Sequence, residues 1–552
     1  MVKKYYMGIS ALHHDSAACL IDEDGNIICA SQEERRTKIK NDKVWPTKSI
    51  AWCKQYAKIH HIDISALQYG YYEKPWLKLT RRIYQNPKKI IQYTKEAYTA
   101  TKNAGFLTKT ISHHKSHALA GCATAPFSDG VYLIVDAIGE WDTTSWGTFN
   151  HATGIIQHDS IKYPHSIGLL YSSFTRWLGL KPNEDEYIVM GAAAYGKPKY
   201  TNEIFDRFIE ILPNNQFRLK KDIHRGVEQY LGHTVPVKEW YDWCASIQLV
   251  CEKVMICLVL MLQEKYGRGM NLVLGGGVAL NCVANSEILK YPDIDINDIW
   301  ILPSPGDSGN ALGAAAHAAG LTKLNWENAY LGDDIDLETQ PSQALIRDVV
   351  GRLERGQIIG WIQGQEEFGP RALGHRTLLA DPRFPGIKDK VNAIKRRQEF
   401  RPFAPAVLEG DAFMYFYLPC EDNRCHYMQF TAKVKNPEFL PAICHVDNTS
   451  RVQTVPISND PFSRLLQHWK HSTMCSVLLN TSLNIKGQPL ISDRAEAIRM
   501  LLDNPMDALV IGNRLYDKVE KSGLTEEEGE MTAIAECIDY SGGADGMVQG
   551  RF

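Results

Sequence analysis

Two stretches of this 552-residue chain share one plan, and that repetition limits its fold more than any other feature. "YYMGISALHHDSAACLIDEDGNIICASQEERR" reads as strand, polar loop, strand, tight "DEDGN" turn and strand. "VYLIVDAIGEWDTTSWGTFNHATGIIQHDS" repeats the plan with an acidic loop and an "NHATG" turn. Asp-Gly and Ala-Thr-Gly between β-rich runs are hairpin signals. The repeat predicts an α/β protein with two similar lobes rather than one continuous sheet. The chain is also too long for a single hydrophobic core. A first domain is expected over residues 1–340 and a second α/β domain over 345–535, opening with the strand "GQIIGWIQ". Acidic, Pro-containing "NAYLGDDIDLETQPSQ" (328–343) reads as the linker. The Glu/Gly-rich tail, 536–552 included, is expected to be poorly ordered.

Composition narrows the function classes. A net charge of −3 gives no reason to expect a nucleic-acid or membrane surface. The thirteen cysteines form no C-x-x-C pair, as expected of free thiols in a reducing cytoplasm. "MVKKYYMGISALHHDSA" lacks the apolar stretch of a signal peptide. No apolar run reaches the ~20 residues that span a bilayer. "SIQLVCEKVMICLVLMLQEKYG" is interrupted by Glu252, Lys253 and Gln263 and reads as a buried helix. A cytoplasmic protein is expected, with no nucleic-acid or membrane partner; oligomeric state is not legible.

"SHHKSHALAGCATA" holds the only histidines four residues apart, His113 and His117, which share one face if this stretch is helical. Eighteen histidines in 552 residues supply about 0.6 such pairs by chance, so the pair needs partners. Asp136 ends the strand "VYLIVD", where α/β folds open a cleft, and Asp307 sits in "SPGDSG" at the start of an Ala-rich helix near Ser308. Two imidazoles and two carboxylates suit Fe(II), Mn(II) or Zn(II). The alternative is a pair of surface histidines with Asp307 as an N-cap. "LGGGVALN" (274–281) offers clustered backbone N–H groups before a helix, an arrangement that cradles phosphates, although tight packing also wants glycine. Two lobes and a glycine loop resemble the nucleotide-closing ATPase fold of actin, sugar kinases and Hsp70.

A second cluster follows in "EEFGPRALGHRTLLADPR" and "IKRRQEFRPFAPAVL". Arg371, Arg376, Arg383, Lys395, Arg396, Arg397 and Arg401 stand among Gly, Pro and Phe. Phosphate-rich ligands need rigidly held guanidiniums, so a polyanion site is expected here, with some arginines holding loops instead. Arg451 in "HVDNTSRVQTV", and Asn480, Ser482 and Asn484 in "SVLLNTSLNIKGQPL", are placed to contribute. RNA is disfavoured by the overall charge.

Eleven motifs in order, from "GISALHHDSAACLI" and "SQEERRTKIKND" through "HHKSHA", "LIVDAIGEWDTTS", "PHSIGLLYSSFT", "VMGAAAYG", "GGGVALN" and "PGDSGNALGAA" to "FGPRALGHRTLLADPR", "FRPFAPAVL" and "LLNTSLNIKGQPL", resemble the O-carbamoyltransferase family (NodU/CmcH type) of antibiotic, nodulation-factor and toxin biosynthesis. The resemblance spans nearly the whole chain. It implies an N-terminal Kae1-like domain of the two-lobed ATPase fold and a C-terminal YrdC-like α/β domain. It also implies an activity: carbamoyl-adenylate forms in the second domain from carbamoyl phosphate and ATP with Mg2+, and a small-molecule hydroxyl takes the carbamoyl group in the first.

The resemblance puts Fe(II), or another divalent metal, on His113, His117, Asp136 and Asp307. His14 matches the general base, with His13 as an extra neighbour whose side chain is expected to point away. Thr37 and Lys40 match the acceptor side of the pocket. Ser166, Gly168, Gly276 and Asn281, together with Asp136, match the nucleotide side. Arg371, Lys395, Arg401, Arg451 and Asn480 match the carbamoyl phosphate and ATP contacts. Ile188, Ala137 and Gln398 depart from the family's usual lysine, glycine and glutamate. A carbamoylating or threonylcarbamoylating factor acting on tRNA or protein is the competing function, opposed by the absent zinc-finger and acylphosphatase modules. Richness in Lys, Ile, Asn and Tyr points to a cyanobacterial or other moderate-GC source and makes a saxitoxin-type toxin one candidate acceptor.

Overall fold

Every residue of the strands Tyr5–Ser10 (β1) and Ala17–Asp22 (β2) is buried. Such strands need cover on both faces, and their continuous apolar runs reflect it. With Ile27–Gln32 (β3), Gln68–Tyr71 (β4) and Thr108–Thr110 (β5) they form a sheet in the order β3-β2-β1-β4-β5. Asp129–Val135 (β6), Asp142–Asn150 (β7), Gly154–Lys162 (β8), Met270–Gly275 (β9) and Ile296–Trp300 (β10) form a second sheet, β8-β7-β6-β9-β10. In both, an antiparallel meander of three strands is followed by two parallel ones. The repeat read in the sequence is a repeat of topology.

This computed structural model describes all residues except 1–2, 105–107, 233, 336–339, 421–423, 522–531, 540–547 and 552. The chain divides into two compact units, Met1–Ala329 and Tyr330–Phe552. In the first, the helix Asn310–Ala319 (α5) explains its own composition. A Cβ on Gly8 of β1 would lie 1.8 Å from the Ala311 carbonyl oxygen, and one on Gly70 of β4 would lie 2.0 Å from that of Ala314. On its other side, a Cβ on Gly313 would meet the Ser116 carbonyl at 2.0 Å. Ser116 belongs to the helix His113–Thr124 (α1). Small residues therefore let α5 pack backbone to backbone between the first sheet and α1. Trp240–Tyr266 (α3), the long apolar helix, is mostly buried within this unit.

The second unit is built on a nine-stranded mixed sheet. Its strands are Ile359–Ile362 (β12), Arg376–Ala380 (β14), Ala404–Leu408 (β15), Gln453–Val455 (β16), Val477–Ser482 (β17), Ala508–Ile511 (β18), Arg514–Lys521 (β19), Thr532–Asp539 (β20) and Val548–Arg551 (β21). They run β16-β15-β17-β14-β12-β18-β19-β20-β21. Two expectations change here. Part of the expected linker, Tyr330–Asp334 (β11), is a strand paired with Gln365–Glu367 (β13). Its acidic composition conceals an anchor, because Tyr330 stacks on His375 at 3.5 Å and its hydroxyl donates to the Leu373 carbonyl. Of the tail expected to be poorly ordered, 536–539 and 548–551 extend the sheet by strand pairing, whereas 540–547 and 552 lie outside the described residues.

Candidate metal centre and basic residues

Three chain connections converge in the first unit: α1 follows β5, Asp136 follows β6, and Asp307 follows β10 and precedes α5. Because α5 packs directly on α1, Asp307 meets the first turn of α1. His113 Nε2 lies 3.0 Å from Asp136 Oδ2 and 3.4 Å from Asp307 Oδ1. His117 Nε2 lies 3.8 and 3.5 Å from those two oxygens and 3.2 Å from His113 Nε2. All four side chains are buried. Asp307 Oδ1 faces both imidazoles yet has no hydrogen-bond partner among the described residues. Two facing ring nitrogens cannot both donate to one another, and with two carboxylate oxygens around them the donor set fits a single divalent cation.

Charges in the cluster support one another. Burial alone would pull His113 down, but Asp307 and Asp136 outweigh it and hold the imidazole well above its ordinary range. Burial likewise opposes ionisation of Asp136 and Asp307, and the facing histidines nonetheless hold both well below the usual carboxylate range. A cation would take over this role and return the imidazoles to neutrality.

Several elements orient the ligands. Gly277 N–H donates to Asp136 Oδ1 at 3.1 Å, so the glycine loop and the ligand set share one carboxylate. Gly276 sits at φ +85°, and a Cβ there would lie 2.3 Å from the Val135 carbonyl. Asn310 Nδ2 lies 3.0 Å from His117 Nε2. Glu140 accepts from the His113 backbone N–H at 3.0 Å and from that of Lys74 at 2.8 Å. Glu140 is not among the candidates that residue type and spacing single out, although its place four residues after Asp136 in the "GEW" turn is a usable signal.

His13 is a correction. It was expected to point away from His14, as neighbours do along a strand. Instead Leu12 and Asp15 adopt φ of +68° and +52°, the loop turns, and both rings face Asp307. His13 Nδ1 lies 3.0 Å from Asp307 Oδ2 and His14 Nε2 lies 3.7 Å from it. His14 Nδ1 lies 3.0 Å from Asp15 Oδ2, an arrangement that leaves Nε2 free to accept when the ring is neutral. Burial lowers His14, but Asp307 and Asp15 raise it to about 10. A cation on Asp307 would weaken that pull.

The other residues assigned to this unit lie as follows. Thr37 Oγ1 donates to the Glu33 carbonyl at 3.1 Å, and Lys40 pairs with buried Glu34 at 3.1 Å. Their loop is tied to the His13–Asp15 loop through Leu12 N–H to Lys43 O and Ser16 N–H to Asp42 O. Ser166 caps the helix Ile167–Trp177 (α2) by accepting from Leu169 N–H, and it donates to the Ala137 carbonyl. Gly168 allows that close approach, since its Cβ would lie 2.8 Å from Ala137 N. Asn281 caps the helix Cys282–Lys290 (α4) and exchanges hydrogen bonds with Gln248. Ile188 is buried.

In the second unit Asn480 lies on β17 and Lys395 meets that strand's end. Lys395, ending the helix Ile387–Lys395 (α6), is buried; its ammonium donates to the Ser482 carbonyl at 2.5 Å, to Ser482 Oγ at 2.9 Å and to Asn484 Oδ1. Asn480 pairs in register with Leu379 on one side and Ala404 on the other. Its amide donates to Gln453 Oε1 at 2.7 Å and to the Ala372 carbonyl, while Gln453 donates to the Leu373 carbonyl. The segment beginning at Arg371 is thereby fastened to Asn480 and to Gln453, two residues past Arg451. Arg371, Arg401 and Arg451 are all half-buried. Arg376, Arg383 and Arg397 are structural. Arg376 is fully buried and donates to the carbonyls of Gln363, His375 and Asp333. Arg383 pairs with Asp381, and Arg397 holds Asn392 and the Pro402 carbonyl.

Residues 5–316 match the family model "Carbamoyltransferase N-terminus" and residues 350–518 match "Carbamoyltransferase C-terminus". The uncharacterized protein sll1178 of Synechocystis is 34% identical over 93% of this chain and 97% of its own length. Nodulation protein NolNO of Sinorhizobium fredii is 32% identical over 92% of this chain and 79% of its own. The 3'-hydroxymethylcephem-O-carbamoyltransferase of Streptomyces clavuligerus is 25% identical over 92% and 98%. Among solved structures, full-length HypF in its phosphate- and nucleotide-bound form is 13% identical over 58% of this chain and 56% of that one, with a TM-score of 0.32.

Proposed function

The chain belongs to the carbamoyltransferase family, and from that premise we propose that it is an ATP-dependent O-carbamoyltransferase acting on a hydroxyl of a small-molecule natural product. The observation that carries this reading is the convergence of His113, His117, Asp136 and Asp307 beside the glycine loop that donates to Asp136. We read the first unit as the Kae1-like, two-lobed ATPase fold, supported by the repeated 3-2-1-4-5 strand order. We read the second as the YrdC-like, adenylate-forming unit.

In the second unit, carbamoyl phosphate loses inorganic phosphate to water, and the carbamate oxygen attacks the α-phosphorus of ATP-Mg2+. Pyrophosphate leaves. Arg371, Arg401 and Arg451 hold phosphate oxygens, because charge-assisted bonds from fixed donors are the strong ones, and Lys395, whose three N–H groups go to Ser482 and Asn484, adds its positive charge. Asn480 and Gln453 hold the neighbouring loop. In the first unit the acceptor hydroxyl attacks the carbamoyl carbon, the C–O bond to AMP breaks, and its electron pair leaves on the phosphate. His14 Nε2 takes the hydroxyl proton. Thr37 and Lys40 line the acceptor side, and Ser166, Gly168, Gly276 and Asn281 shape the nucleotide side. The four-residue set would hold Fe(II) or a related cation, which supplies Lewis-acid stabilisation of the departing phosphate.

The test is carbamoyl-phosphate-dependent release of pyrophosphate from ATP, followed by transfer to hydroxyl acceptors such as a hydroxymethylcephem and a saxitoxin-type alcohol. Pyrophosphate release that ignores carbamoyl phosphate would refute the reading.

A further inference from the structure

The net charge of −3 conceals a sharp local asymmetry in the connection between β4 and β5. Residues 74–104 carry eight Lys and Arg against one acid, Glu96. They form two helices, Pro75–Gln85 and Ile90–Ala104, joined by the turn Pro87–Lys89. The equivalent connection in the second lobe, β9 to β10, carries only a short 3-10 turn and α4. The helical hairpin is therefore an addition to the repeated plan.

Its one acid is neutralised within the hairpin. Arg82 pairs with Glu96, and its guanidinium lies 4.1 Å over the Tyr93 ring. Lys78 pairs with Glu73, and Arg81 is buried. Lys74, Lys88, Lys89, Lys95 and Lys102 are left exposed. Among them stand large exposed apolar side chains: Trp76 (50%), Leu77 (46%), Tyr84 (67%), Ile90 (47%), Ile91 (82%) and Tyr98 (61%). Along the second helix Ile91, Lys95, Tyr98 and Lys102 follow one another at i, i+4, i+7 and i+11, one continuous stripe. At the turn, Lys88 and Lys89 run directly into Ile90 and Ile91.

Lysines in water need no isoleucine beside them. Apolar side chains that must dock on a protein usually sit in a patch cleared of charge. Lysines interleaved with Ile, Trp and Tyr suit a surface that is anionic outside and hydrocarbon beneath. We propose that the hairpin 74–104 docks this protein on an anionic lipid bilayer, with its lysines at the headgroups and Ile90 and Ile91 at the acyl boundary. The first helix of the hairpin packs on the segment that follows Asp136. Trp141 Nε1 donates to Thr80 Oγ1 at 3.0 Å, and Glu140 bridges the backbone of Lys74 to that of His113. Docking holds α1 beside the bilayer, where an amphiphilic acceptor would be concentrated.

Sedimentation of the full chain with phosphatidylcholine–phosphatidylglycerol vesicles tests this against pure phosphatidylcholine. Binding is expected only to the anionic vesicles and is expected to weaken with salt. Each lysine near such a surface is worth about fivefold in partitioning. The Lys88→Glu, Lys89→Glu variant should therefore lose about 25-fold or more, and Ile90→Ser, Ile91→Ser should also weaken binding. All four side chains are exposed, and circular dichroism with metal content checks that the fold is kept. No binding, equal binding to neutral vesicles, or binding unchanged in both variants overturns the proposal. So does binding to heparin but not to vesicles, which marks a polyanion surface. An Ile-dependent dimer in sedimentation velocity also overturns it, since a second copy would then cover the face.

Discussion

His13 and Asp307 stand 294 residues apart in the chain, yet imidazole Nδ1 and carboxylate Oδ2 are 3.0 Å apart. That contact fixes one oxygen of a buried carboxylate and leaves the other, Oδ1, facing His113 and His117. Hydrogen bonds of this kind orient metal ligands, and losing one typically costs 10- to 100-fold in affinity. His13→Ala should weaken metal binding by about that factor in a chelator competition. His13→Asn can still donate to Oδ2 and should recover part of it. Parental affinity in His13→Ala would remove His13 from the ligand shell's support.

His117→Ala should strip the metal while leaving pyrophosphate release largely intact, because adenylate formation is assigned to the other unit. Elemental analysis of the purified variant reads the first outcome, and a coupled pyrophosphate assay reads the second. Full metal content would disprove the assignment of His117.

Arg371→Ala should reduce pyrophosphate release about 10²-fold or more, the scale of a lost desolvated guanidinium–phosphate contact. Lys395→Ala should do at least as much, since its ammonium also holds Ser482 and Asn484 in place. Its melting temperature should be measured alongside, so that loss of the strand end is not mistaken for loss of a phosphate contact. Parental rates in either variant would locate adenylation elsewhere.

His14→Asn should still form carbamoyl-adenylate but transfer it about 10²- to 10⁴-fold more slowly, the range for a lost general base. Single-turnover transfer to an accepted alcohol measures this. Undiminished transfer would give the proton to another group.

Glu252 offers a pH signature away from the centre. Burial within α3 raises its carboxyl to about 7, opposed by a hydrogen bond from Gln248. In the unfolded chain it titrates near 4.5, so between these values the folded state binds more protons and stability falls as pH rises. The cost is absent below about 4.5 and complete above about 7. Glu252→Gln should therefore stabilise the protein at pH 8, by at most about 3 kcal/mol, and change little at pH 4. Equal shifts in denaturation midpoint at both pH values would rule out the buried charge as the cause.

Much of this protein was determined by local sequence. Hairpin turns at "DEDGN" and "NHATG" encode two meanders, because Gly and Asn permit the turn and β-rich flanks do the rest. His113 and His117 share a face because a helix has 3.6 residues per turn, and Asp136 and Asp307 lie at element ends because apolar runs stop there. Other features were decided only in three dimensions. His13 faces Asp307 because positive φ at Leu12 and Asp15 turns the loop, and strand alternation cannot report a turn that it does not contain. Arg376 looked like a phosphate ligand, but the sheet buried it and gave its guanidinium to three carbonyls. The Ala-rich run 310–319 advertised a helix and nothing more. Its small residues had a use only once Gly8, Gly70 and Gly313 let the backbones touch, bringing Asp307 to α1 and completing the ligand set. Sequence spacing fixes which residues share an element; backbone contact between elements distant in the chain decides which of them meet.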